Sequence, residues 1–540
     1  MLRLTEIKLD LQHDAAALRT AVLQTLRIND KELLSVHIRR RGNDARKRGV
    51  ISFVYTLDVM VSNEAQLLQQ FSDDPHINAT PDERYEYPQH FDAAPSLRPV
   101  VIGTGPCGLF AGLSLARMGL KPLILERGKA VKQRTKDVWN FWRKNQFDPA
   151  SNVQFGEGGA GTFSDGKLYT GIKDREHRMR QILQDLVECG APEEILYISK
   201  PHIGTLRLVK VVENLRKQII AAGGEIRFES QVRDFVIENG AVKALVLSDG
   251  ERIETEQVIL AVGHSARDTF EQLHTRGVSI AQKPFSIGFR IEHPQSIIDA
   301  DRLGSHAGNP LLGAADYKLV HHCSNGRSVY SFCMCPGGQV VAAASECGQV
   351  VTNGMSHYSR NERNANAGIV VDITPADFGS DHPLAGIELQ RRLEAQAFKL
   401  GGSNYHAPAQ LVGDFLGKRA STQLGSVIPS YTPGVTLTDL SSLLPDYAIN
   451  AIREALPVFD RTIKGFAMPD AVLTGVETRT SAPIRITRDH QTFQSINTQG
   501  LYPAGEGAGY AGGIISAAVD GMRVAEALAQ RIASGFVKNE

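Results

Sequence analysis

The sequence predicts an α/β protein with a Rossmann-like nucleotide-binding domain, an inserted mixed α+β domain and a small N-terminal α/β module. Glycine-rich segments at residues 99–128 and 500–516 each join an apolar strand to a helix, and strands alternate with helices from residue 99 to about residue 262. This alternation is typical of a parallel sheet with helical crossovers. Residues 275–480 are less periodic and richer in turns, which indicates a domain inserted between the two segments.

The N-terminal module is predicted over residues 1–72. Its predicted elements are a strand at 2–11, a helix at 14–26, strands at 34–39 and 50–61, and a short helix from residue 64. Six of the ten residues from Arg39 to Arg48 are basic, and we expect a hairpin-like loop there. This loop either binds phosphate, RNA or an acidic partner or is a solvated connection, and the lack of interleaved aromatic residues favours the connection. Residues 73–98 are predicted to be a polar linker or a wrapping segment.

A dinucleotide-binding βαβ unit is predicted at residues 99–128, which read PVVIGTGPCGLFAGLSLARMGLKPLILERG. The order is strand, G-x-G-x-x-G turn, helix, strand and acidic residue, as such a unit requires. Gly103 allows a tight turn, Gly105 lets backbone amides approach a pyrophosphate, and Gly108 lets the helix pack closely on the sheet. Glu126 follows Gly103 by 23 positions, close to the roughly 20 expected for a carboxylate that binds ribose hydroxyls.

Further strands and helices extend this domain. The predicted elements are a helix near 209–222, strands at 225–228, 232–237, 242–247 and 258–262, and a hairpin at Asn239-Gly240. We therefore place the first part of the nucleotide-binding domain at residues 99–274, the inserted substrate domain at 275–481 and the second part at 482–540.

Composition limits the classes of function. Lys+Arg and Asp+Glu number 59 each in 540 residues, so no global charge indicates nucleic acid or an anionic membrane as a partner. No apolar run approaches membrane-spanning length, the N-terminus lacks a signal-peptide core, and six scattered cysteines do not form a disulfide framework. We expect a cytoplasmic protein, and no His/Cys spacing predicts a metal site.

The C-terminal segment GLYPAGEGAGYAGGIIS, residues 500–516, carries the second glycine motif. A strand ends at Gly505 and Glu506, and Gly512 and Gly513 open a helix whose N-terminal dipole can stabilise negative charge. With this pair of motifs the chain resembles the FAD-binding superfamily that includes glutathione reductase, p-hydroxybenzoate hydroxylase and fumarate reductase. The resemblance implies that both ends of the chain meet around one FAD, with Glu506 near the ribityl chain.

Other segments fit the same cofactor. By the resemblance, Val232 lies near adenine, the strand ending VILAVGH resembles the superfamily's A-T-G turn, and the glycine-rich segment 155–167 offers backbone amides to the flavin or a phosphate. The residues expected to contact FAD are Gly103, Gly105, Pro106, Cys107, Gly108, Glu126, Arg127, Arg134, Gly158, Gly159, Gly161, Thr162, Val232, Ala261, Gly263, Gly505, Glu506, Gly512, Gly513 and Ile514. Arg134 and Asp137 are equally well interpreted as surface residues of an amphipathic helix.

A narrower resemblance covers the whole chain. The segments FGEGGAGTFSDGKL, YSFCMCPGG, GVETRTSAPIRI and YPAGEGAGYAGGI are together similar to a bacterial family of FAD-dependent dehydrogenases whose physiological substrate is not assigned. The family resemblance supports FAD and leaves the reaction open.

Candidate catalytic residues lie in the inserted domain and beside it. Cys333 and Cys335 lie in a predicted strand, P-G-G turn and strand, where the Cα atoms of residues i and i+2 are about 7 Å apart, at the limit for a disulfide. They are either a thiol pair that exchanges electrons with flavin or small buried side chains. Arg479 is a candidate to bind an anionic substrate or the reduced flavin, with Glu477 orienting it. His264 is a candidate proton carrier.

The function these residues predict is that of a FAD-dependent oxidoreductase, a dehydrogenase or reductase, that moves a hydride between flavin and a small organic substrate. Outside the glycine-rich segments already assigned to FAD, the chain has no further G-x-G-x-x-G after a strand, and it has no C-x-x-x-x-C pair. NAD(P)H or a protein is therefore a candidate electron donor that docks transiently. The alternatives are a flavoprotein that acts on RNA through Arg39–Arg48 and a non-catalytic FAD-binding redox sensor.

Overall fold

The computed structural model describes residues 1–47 and 50–536, so Arg48 of the basic segment lies outside the described residues. The strands are β1 (Leu2–Asp10), β2 (Leu33–Lys47), β3 (Val50–Val61), β4 (Ile77–Ala79), β5 (Val100–Ile102), β6 (Leu123–Leu125), β7 (Glu225–Arg227), β8 (Val232–Glu238), β9 (Ala241–Leu247), β10 (Arg252–Glu254), β11 (Val258–Leu260), β12 (Ile280–Gln282), β13 (Phe285–Pro294), β14 (Val320–His322), β15 (Ser328–Ala342), β16 (Thr352–Met355), β17 (Asn364–Ile373), β18 (Ala407–Leu411), β19 (Val435–Leu437), β20 (Val472–Glu477), β21 (Ile484–Ile486) and β22 (Leu501–Pro503).

The helices follow the same order along the chain. They are α1 (Ala15–Leu26), α2 (Glu64–Gln70), α3 (Pro106–Arg117), α4 (Val131–Lys144), α5 (Arg178–Glu188), α6 (Thr205–Ala221), α7 (Arg267–Thr275), α8 (Gln295–Leu303), α9 (Ala385–Leu400), α10 (Val412–Leu416), α11 (Asp446–Thr462) and α12 (Ile514–Phe536). Among the described residues, no helix combines the length and apolar composition needed to cross a membrane.

The N-terminal sheet has the order β2-β3-β1-β4, and α1 and α2 pack on it. Strand β4 lies within residues 73–98, which were predicted to be a linker or wrapping segment. Its residues Ala79 and Ile77 pair with Leu2 and Leu4 of β1. The expected basic loop was wrong as well. The residues from Arg39 to Lys47 belong to β2, which pairs with β3.

Three of the basic side chains in β2 already have partners. Arg39 pairs with Glu83, Arg46 pairs with Asp44, and the Arg41 guanidinium lies over the rings of Phe53 and Tyr197. Cations held by protein carboxylates and rings are less able to track a phosphate backbone, so the structure does not favour an RNA-binding role for this strand.

The nucleotide-binding domain is built on the five-stranded sheet β22-β11-β5-β6-β7, in which every neighbouring pair is parallel. The strands β5, β6 and β11 are apolar and buried, because α3 packs on one face of the sheet and residues of β8, β9 and α7 pack on the other. Strand β11 lies between β5 and β22. The glycine-rich turns that follow β5 and β22 therefore begin on either side of β11, at the same edge of the sheet. Helices α3 and α12 also touch closely, since a Cβ on Gly521 would lie 2.2 Å from the carbonyl oxygen of Cys107.

A three-stranded antiparallel sheet, β10-β9-β8, follows the helix α6. The Asn239-Gly240 hairpin between β8 and β9 is confirmed, with φ of 51° and 74°. Two positive φ angles in a two-residue turn match the right-handed twist of the strands it joins.

The inserted domain contains an eight-stranded sheet with the order β14-β15-β17-β13-β20-β18-β19, and β16 pairs with β15. The chain enters it through β12 and leaves it through β21, and these two strands pair antiparallel. The predicted turn at Pro336-Gly337-Gly338 between two strands was wrong, because β15 continues through these residues as one strand. Bulges between Phe332 and Cys335 and between Cys335 and Gly338 absorb the irregular backbone instead.

Candidate cofactor and active site

A cavity of about 470 Å³ lies where the carboxyl ends of β5, β6 and β11 face the inserted domain. Its wall includes predicted site residues from both glycine-rich segments and from the inserted sheet. These are Gly103, Gly105, Pro106, Cys107, Glu126, Arg127, Gly159, Gly161, Val232, Ala261, Gly263, His264, Cys333, Arg479, Glu506, Gly512, Gly513 and Ile514. In open α/β sheets, ligands bind at this edge.

The glycine turn brings helix α3 against the cavity. Gly105 is the N-cap of α3, and Pro106 occupies its first turn. As in any α-helix, the amides of this first turn have no intrahelical acceptor. Gly103 has a φ of 104°, and a Cβ on Gly108 would lie only 1.9 Å from the Gly103 carbonyl oxygen. The turn is therefore compact, and the helix N-terminus is placed to receive an anion.

Glu126 is held rigidly at the end of β6. Its Oε2 accepts hydrogen bonds from the amide and hydroxyl of Thr104 at 2.9 and 2.6 Å. Its Oε1 accepts from the amides of Gly128 and Gly156 at 2.9 and 3.0 Å. The carboxylate is thus oriented before any ligand arrives.

Arg134 does not reach the cavity, and its predicted cofactor contact was wrong. Its side chain is fully buried and donates to the carbonyl oxygens of Asn152, Val153, Gly156 and Glu157. Such a buried cation needs acceptors on every side. Arg134 therefore fixes the glycine-rich loop that approaches the cavity rather than the ligand itself.

Other predicted contacts also lie behind the cavity wall. Gly108 packs on the Gly103 carbonyl, Gly158 donates its amide to the Thr104 carbonyl, and Gly505 donates its amide to Asp520 Oδ2. A Cβ on Gly158 would lie 2.1 Å from the Thr162 hydroxyl, which is buried. These residues shape the backbone that borders the cavity.

Lys167, from the segment before α5, and residues of the inserted strands β15 and β16 together form a polar wall of the cavity. The Lys167 ammonium donates to the Met334 carbonyl oxygen and lies 3.6 Å from Asp165 Oδ2. Phe332, Cys333 and Asn353 border the cavity beside it. This wall faces the two glycine-rich segments across the cavity.

Glu477 does not orient Arg479, as the sequence had predicted. Its two oxygens accept from Arg290 Nη2 and Nε at 2.9 and 3.0 Å. Arg290 also donates to the Cys333 carbonyl oxygen at 3.2 Å. Glu477 therefore acts on the cavity wall through Arg290, because that guanidinium supports the backbone of Cys333.

Arg479 borders the cavity, but most of its donors are already bonded to protein. Its Nε and Nη2 donate to Glu394 at 3.1 and 2.9 Å, and its Nη1 donates to the hydroxyls of Ser265 and Ser345. Glu394 also binds Arg267 and is fully buried. Glu394, which no sequence motif marks, is thus the residue that orients Arg479.

His264 lies in the wall as a neutral imidazole. Burial first, and then the nearby Arg479 and Arg267 cations, lower its pKa to about 3. A proton carrier at neutral pH needs a pKa near 7. In the protein alone, His264 therefore remains uncharged over the physiological range.

Three potential metal ligands come together away from this cavity. The ligand atoms of His321, Cys323 and Glu454 lie within 4.8 Å of one another. His321 Nε2 and Glu454 Oε1 are 3.0 Å apart, and the Cys323 thiol donates to the Ala451 carbonyl oxygen. These contacts within the protein account for the arrangement without an ion.

Comparison with known proteins places the chain in a family. A protein of Clostridium beijerinckii named only as uncharacterized is 47% identical over 537 residues, which span 98% of this chain and 99% of that one. The two proteins belong to one family. A family model described as FAD-dependent protein, C-terminal domain-like matches residues 284–480, and one described as domain of unknown function (DUF8436) matches residues 1–60. The cofactor of this chain is FAD.

Solved structures give only distant likenesses. Halogenase PltM is 12% identical with a TM-score of 0.37, covering 83% of this chain and 71% of its own. Glycine oxidase from Geobacillus kaustophilus is 11% identical with a TM-score of 0.35, covering 82% and 95%. Glycerol-3-phosphate dehydrogenase from Bacillus halodurans complexed with FAD is 12% identical with a TM-score of 0.36, covering 81% of this chain and 65% of its own. No function follows from scores this low.

The residues around the cavity fit FAD. The N-termini of α3 and α12 both border it, and these ends favour a pyrophosphate or a negatively charged flavin. A Cβ on Gly159 would lie 2.8 Å from the Cα of Gly105, so only glycine keeps this part of the wall open. Glu506 supplies a carboxyl group for hydroxyl groups, while the carboxylate of Glu126 holds the backbone of Thr104, Gly128 and Gly156 at the cavity.

Sequence reasoning assigned no role to several residues of the wall. Lys167 is the penultimate residue of the quoted motif FGEGGAGTFSDGKL, and this position after a glycine-rich loop was a usable signal. Asn353 and Ser265 lie in segments with no pattern of their own. Only the pairing of β16 with β15 and the turn after β11 bring them to the cavity.

The pKa of Glu506 is also shifted by its place in the wall. Burial raises its pKa to about 7, against the opposing effect of the Lys283 cation. A carboxyl group with a raised pKa keeps its proton in the folded state at a pH where the unfolded chain has lost it. The contribution of Glu506 to stability is therefore present below about pH 4.5 and is lost as pH rises through about 7.

We expect Glu506→Gln to remove this loss in FAD-free protein and to raise its free energy of unfolding at pH 8 by about 1–3 kcal/mol. Urea denaturation at several pH values between 5 and 8 measures the slope of the free energy of unfolding against pH. Glu254→Gln, an exposed carboxylate paired with Arg252, should keep the wild-type slope. Equal slopes in Glu506→Gln and wild type would contradict the assignment.

Proposed function

We propose that the protein is a FAD-dependent oxidoreductase that moves a hydride between the flavin and a small organic substrate. The observation that carries this proposal is that one cavity joins the nucleotide-binding edge of the parallel sheet to the polar wall formed by Lys167 and the inserted strands. Cofactor sites with a second domain over them are typical of enzymes that enclose a substrate beside the cofactor. When bound, FAD supplies the hydride acceptor or donor.

The chain's own residues divide into two groups by position. The α3 N-terminus and Glu126 bind and orient the nucleotide part, while the α12 N-terminus favours negative charge on a reduced flavin. Lys167 and Asn353 face the space left for the substrate. Glu394 holds Arg479 in position, and the Arg479 guanidinium places a positive charge in the cavity wall.

The side chains of the polar wall and its neighbours suggest the class of substrate. Lys167 offers a cation, Asn353 offers an amide, and Phe332 and Tyr169 offer aromatic surface. Such a combination suits a small molecule that has a carboxylate or carbonyl group next to an apolar part. We propose that Lys167 binds the anionic or carbonyl end.

The first test is an anaerobic titration of FAD-loaded protein with NADH and NADPH, followed by the visible flavin absorbance. We expect slow or incomplete bleaching, because the other G-x-G-x-x-G runs of the chain, at 156–161 and 507–512, border the FAD cavity and leave no separate glycine motif for a nicotinamide nucleotide. Small hydroxy and amino acids should then be screened in the same assay for saturable bleaching. Lys167→Met should raise the half-saturating concentration at least about tenfold, the loss of roughly one charge-assisted contact.

Two results would contradict parts of this proposal. Rapid bleaching by either nicotinamide nucleotide would make the protein an NAD(P)H-dependent reductase, with a docking mode that does not use a glycine motif. A flavin that no organic donor reduces, and that in its reduced form no organic acceptor oxidises, would refute the hydride transfer itself.

A further inference from the structure

We propose that Cys333 and Cys335 form a dithiol–disulfide couple that exchanges two electrons with the flavin in the cavity. The couple rests on the flavin chemistry proposed above and adds a second redox centre to the same site. It does not depend on which organic substrate the enzyme uses.

The distorted backbone of β15 brings the two thiols together. In a regular strand, the Cα atoms of residues i and i+2 are about 7 Å apart, and this distance is at the limit for a disulfide. Here Cys333 has a φ of 43°, in the left-handed region that a non-glycine residue rarely adopts, and bulges flank Cys335. The Cys335 thiol donates to the Cys333 carbonyl oxygen at 3.3 Å, so its sulfur lies beside the Cys333 backbone.

The two cysteines differ in access to the cavity. Cys333 is half-buried and borders it, together with Gly512 and Gly513 at the N-terminus of α12. Cys335 is fully buried behind the wall, and a Cβ on Gly354 would lie 2.9 Å from its sulfur. This places Cys333 to face the flavin and Cys335 to close the disulfide from behind.

The surroundings also favour a thiolate on Cys333. Interaction with the Cys335 side chain, together with the Lys167 and Arg290 cations, outweighs burial and lowers the pKa of Cys333 below its ordinary value. Burial instead raises the pKa of Cys189 to about 12 and that of Cys323 to about 11. A lowered pKa at an accessible thiol is typical of reactive cysteines.

The electrons and protons of the exchange balance. The Cys333 thiolate and the Cys335 thiol form one S–S bond and release two electrons and one proton. FAD accepts these two electrons and this proton and becomes FADH⁻, so the total charge is unchanged. The reverse reaction reduces the disulfide and returns oxidised FAD.

The first experiment counts thiols without any substrate. FAD-loaded protein is oxidised anaerobically with ferricyanide, denatured in an alkylating reagent and weighed by mass spectrometry. We expect four of the six cysteines to be labelled, and all six after reduction with dithiothreitol, with the disulfide in the peptide that contains Cys333 and Cys335. FAD-free protein treated in the same way should label at all six. Six labels in the FAD-loaded protein, or four in the FAD-free protein, would refute the exchange.

The second experiment counts electrons. Anaerobic titration of the oxidised holoprotein with dithionite should consume four electrons per FAD in wild type and two in Cys333→Ser and Cys335→Ser. Cys347→Ser, which alters an exposed thiol outside the cavity, should still consume four. Two electrons in wild type would overturn the proposal even if neither cavity variant folds. Because no organic substrate is used, a failed substrate search leaves both results interpretable, and a colourless protein would reveal failure of FAD binding instead.

Discussion

Replacing Gly108 with alanine is expected to abolish FAD binding. A Cβ at this position would lie 1.9 Å from the Gly103 carbonyl oxygen and 2.9 Å from its carbon, so backbone would have to move. Helix α3 would then shift away from the turn and take its N-terminal amides out of position for the pyrophosphate. Overpacking of this kind costs about 1–3 kcal/mol or more. Flavin content after purification and the Kd for added FAD measure the effect, which we expect to exceed about 100-fold.

Two other glycines provide graded controls for this prediction. A Cβ on Gly535, an exposed residue of α12 outside the cavity wall, would meet nothing within 4 Å, so Gly535→Ala should leave FAD binding within about twofold of wild type. Gly112→Ala would press on the end of the Ile124 side chain at 2.2 Å, which can rotate away. We expect an intermediate loss there. If Gly108→Ala retains wild-type FAD content, the turn does not set the position of α3.

The parts of the fold that the sequence predicted correctly rest on local rules. The turn of Gly103, Gly105 and Gly108 was predicted because only glycine tolerates the φ and the close contacts found there. The Asn239-Gly240 hairpin follows from two adjacent residues that accept positive φ. Short apolar strands separated by helices similarly specify a parallel sheet.

The errors have a common physical cause, since each concerned a contact between residues far apart in the chain. Glu477 and Arg479 are neighbours in sequence, yet they bond to Arg290 and Glu394, which only the folded sheet and α9 bring near. The P-G-G segment resembled a turn because its local preference is strong. Pairing of β15 with β16 and β17 on both sides of that segment overrides the preference and keeps the strand continuous.

The basic segment from Arg39 shows the same limit of sequence-based prediction at the protein surface. A run of cations reads as an exposed loop when its partners are unknown. Glu83, which pairs with both Arg3 and Arg39, lies in the stretch expected to be a linker. The charge that neutralises the segment thus comes from a part of the chain whose composition suggested no contact.

Replacing Glu394 with glutamine is expected to cause the largest loss of stability among conservative substitutions near the site. Its carboxylate accepts from Arg267 at 2.8 and 3.0 Å and from Arg479 at 2.9 and 3.1 Å, and all three side chains are buried. Breaking a buried ion pair by removing one partner costs about 3–5 kcal/mol, because the remaining charge stays buried. Here two guanidinium groups would remain, although Glu346 still pairs with Arg267. Urea denaturation at pH 7 measures the loss.

The same helix offers a matched control, and pH separates charge from packing. Glu388→Gln removes an exposed carboxylate of α9 that pairs with Arg391, and it should change stability by less than about 0.5 kcal/mol. Burial alone would raise the pKa of Glu394, but Arg267 and Arg479 outweigh burial and hold the pKa at about 2. A lowered carboxyl pKa gives stability that is present above about pH 4.5 and is lost as pH falls through about 2. The gap between wild type and Glu394→Gln should therefore narrow as pH falls from 4.5 towards 2. A gap that is independent of pH over this range would mean that Glu394 acts through its shape and hydrogen bonds, and that Arg479 does not depend on its charge.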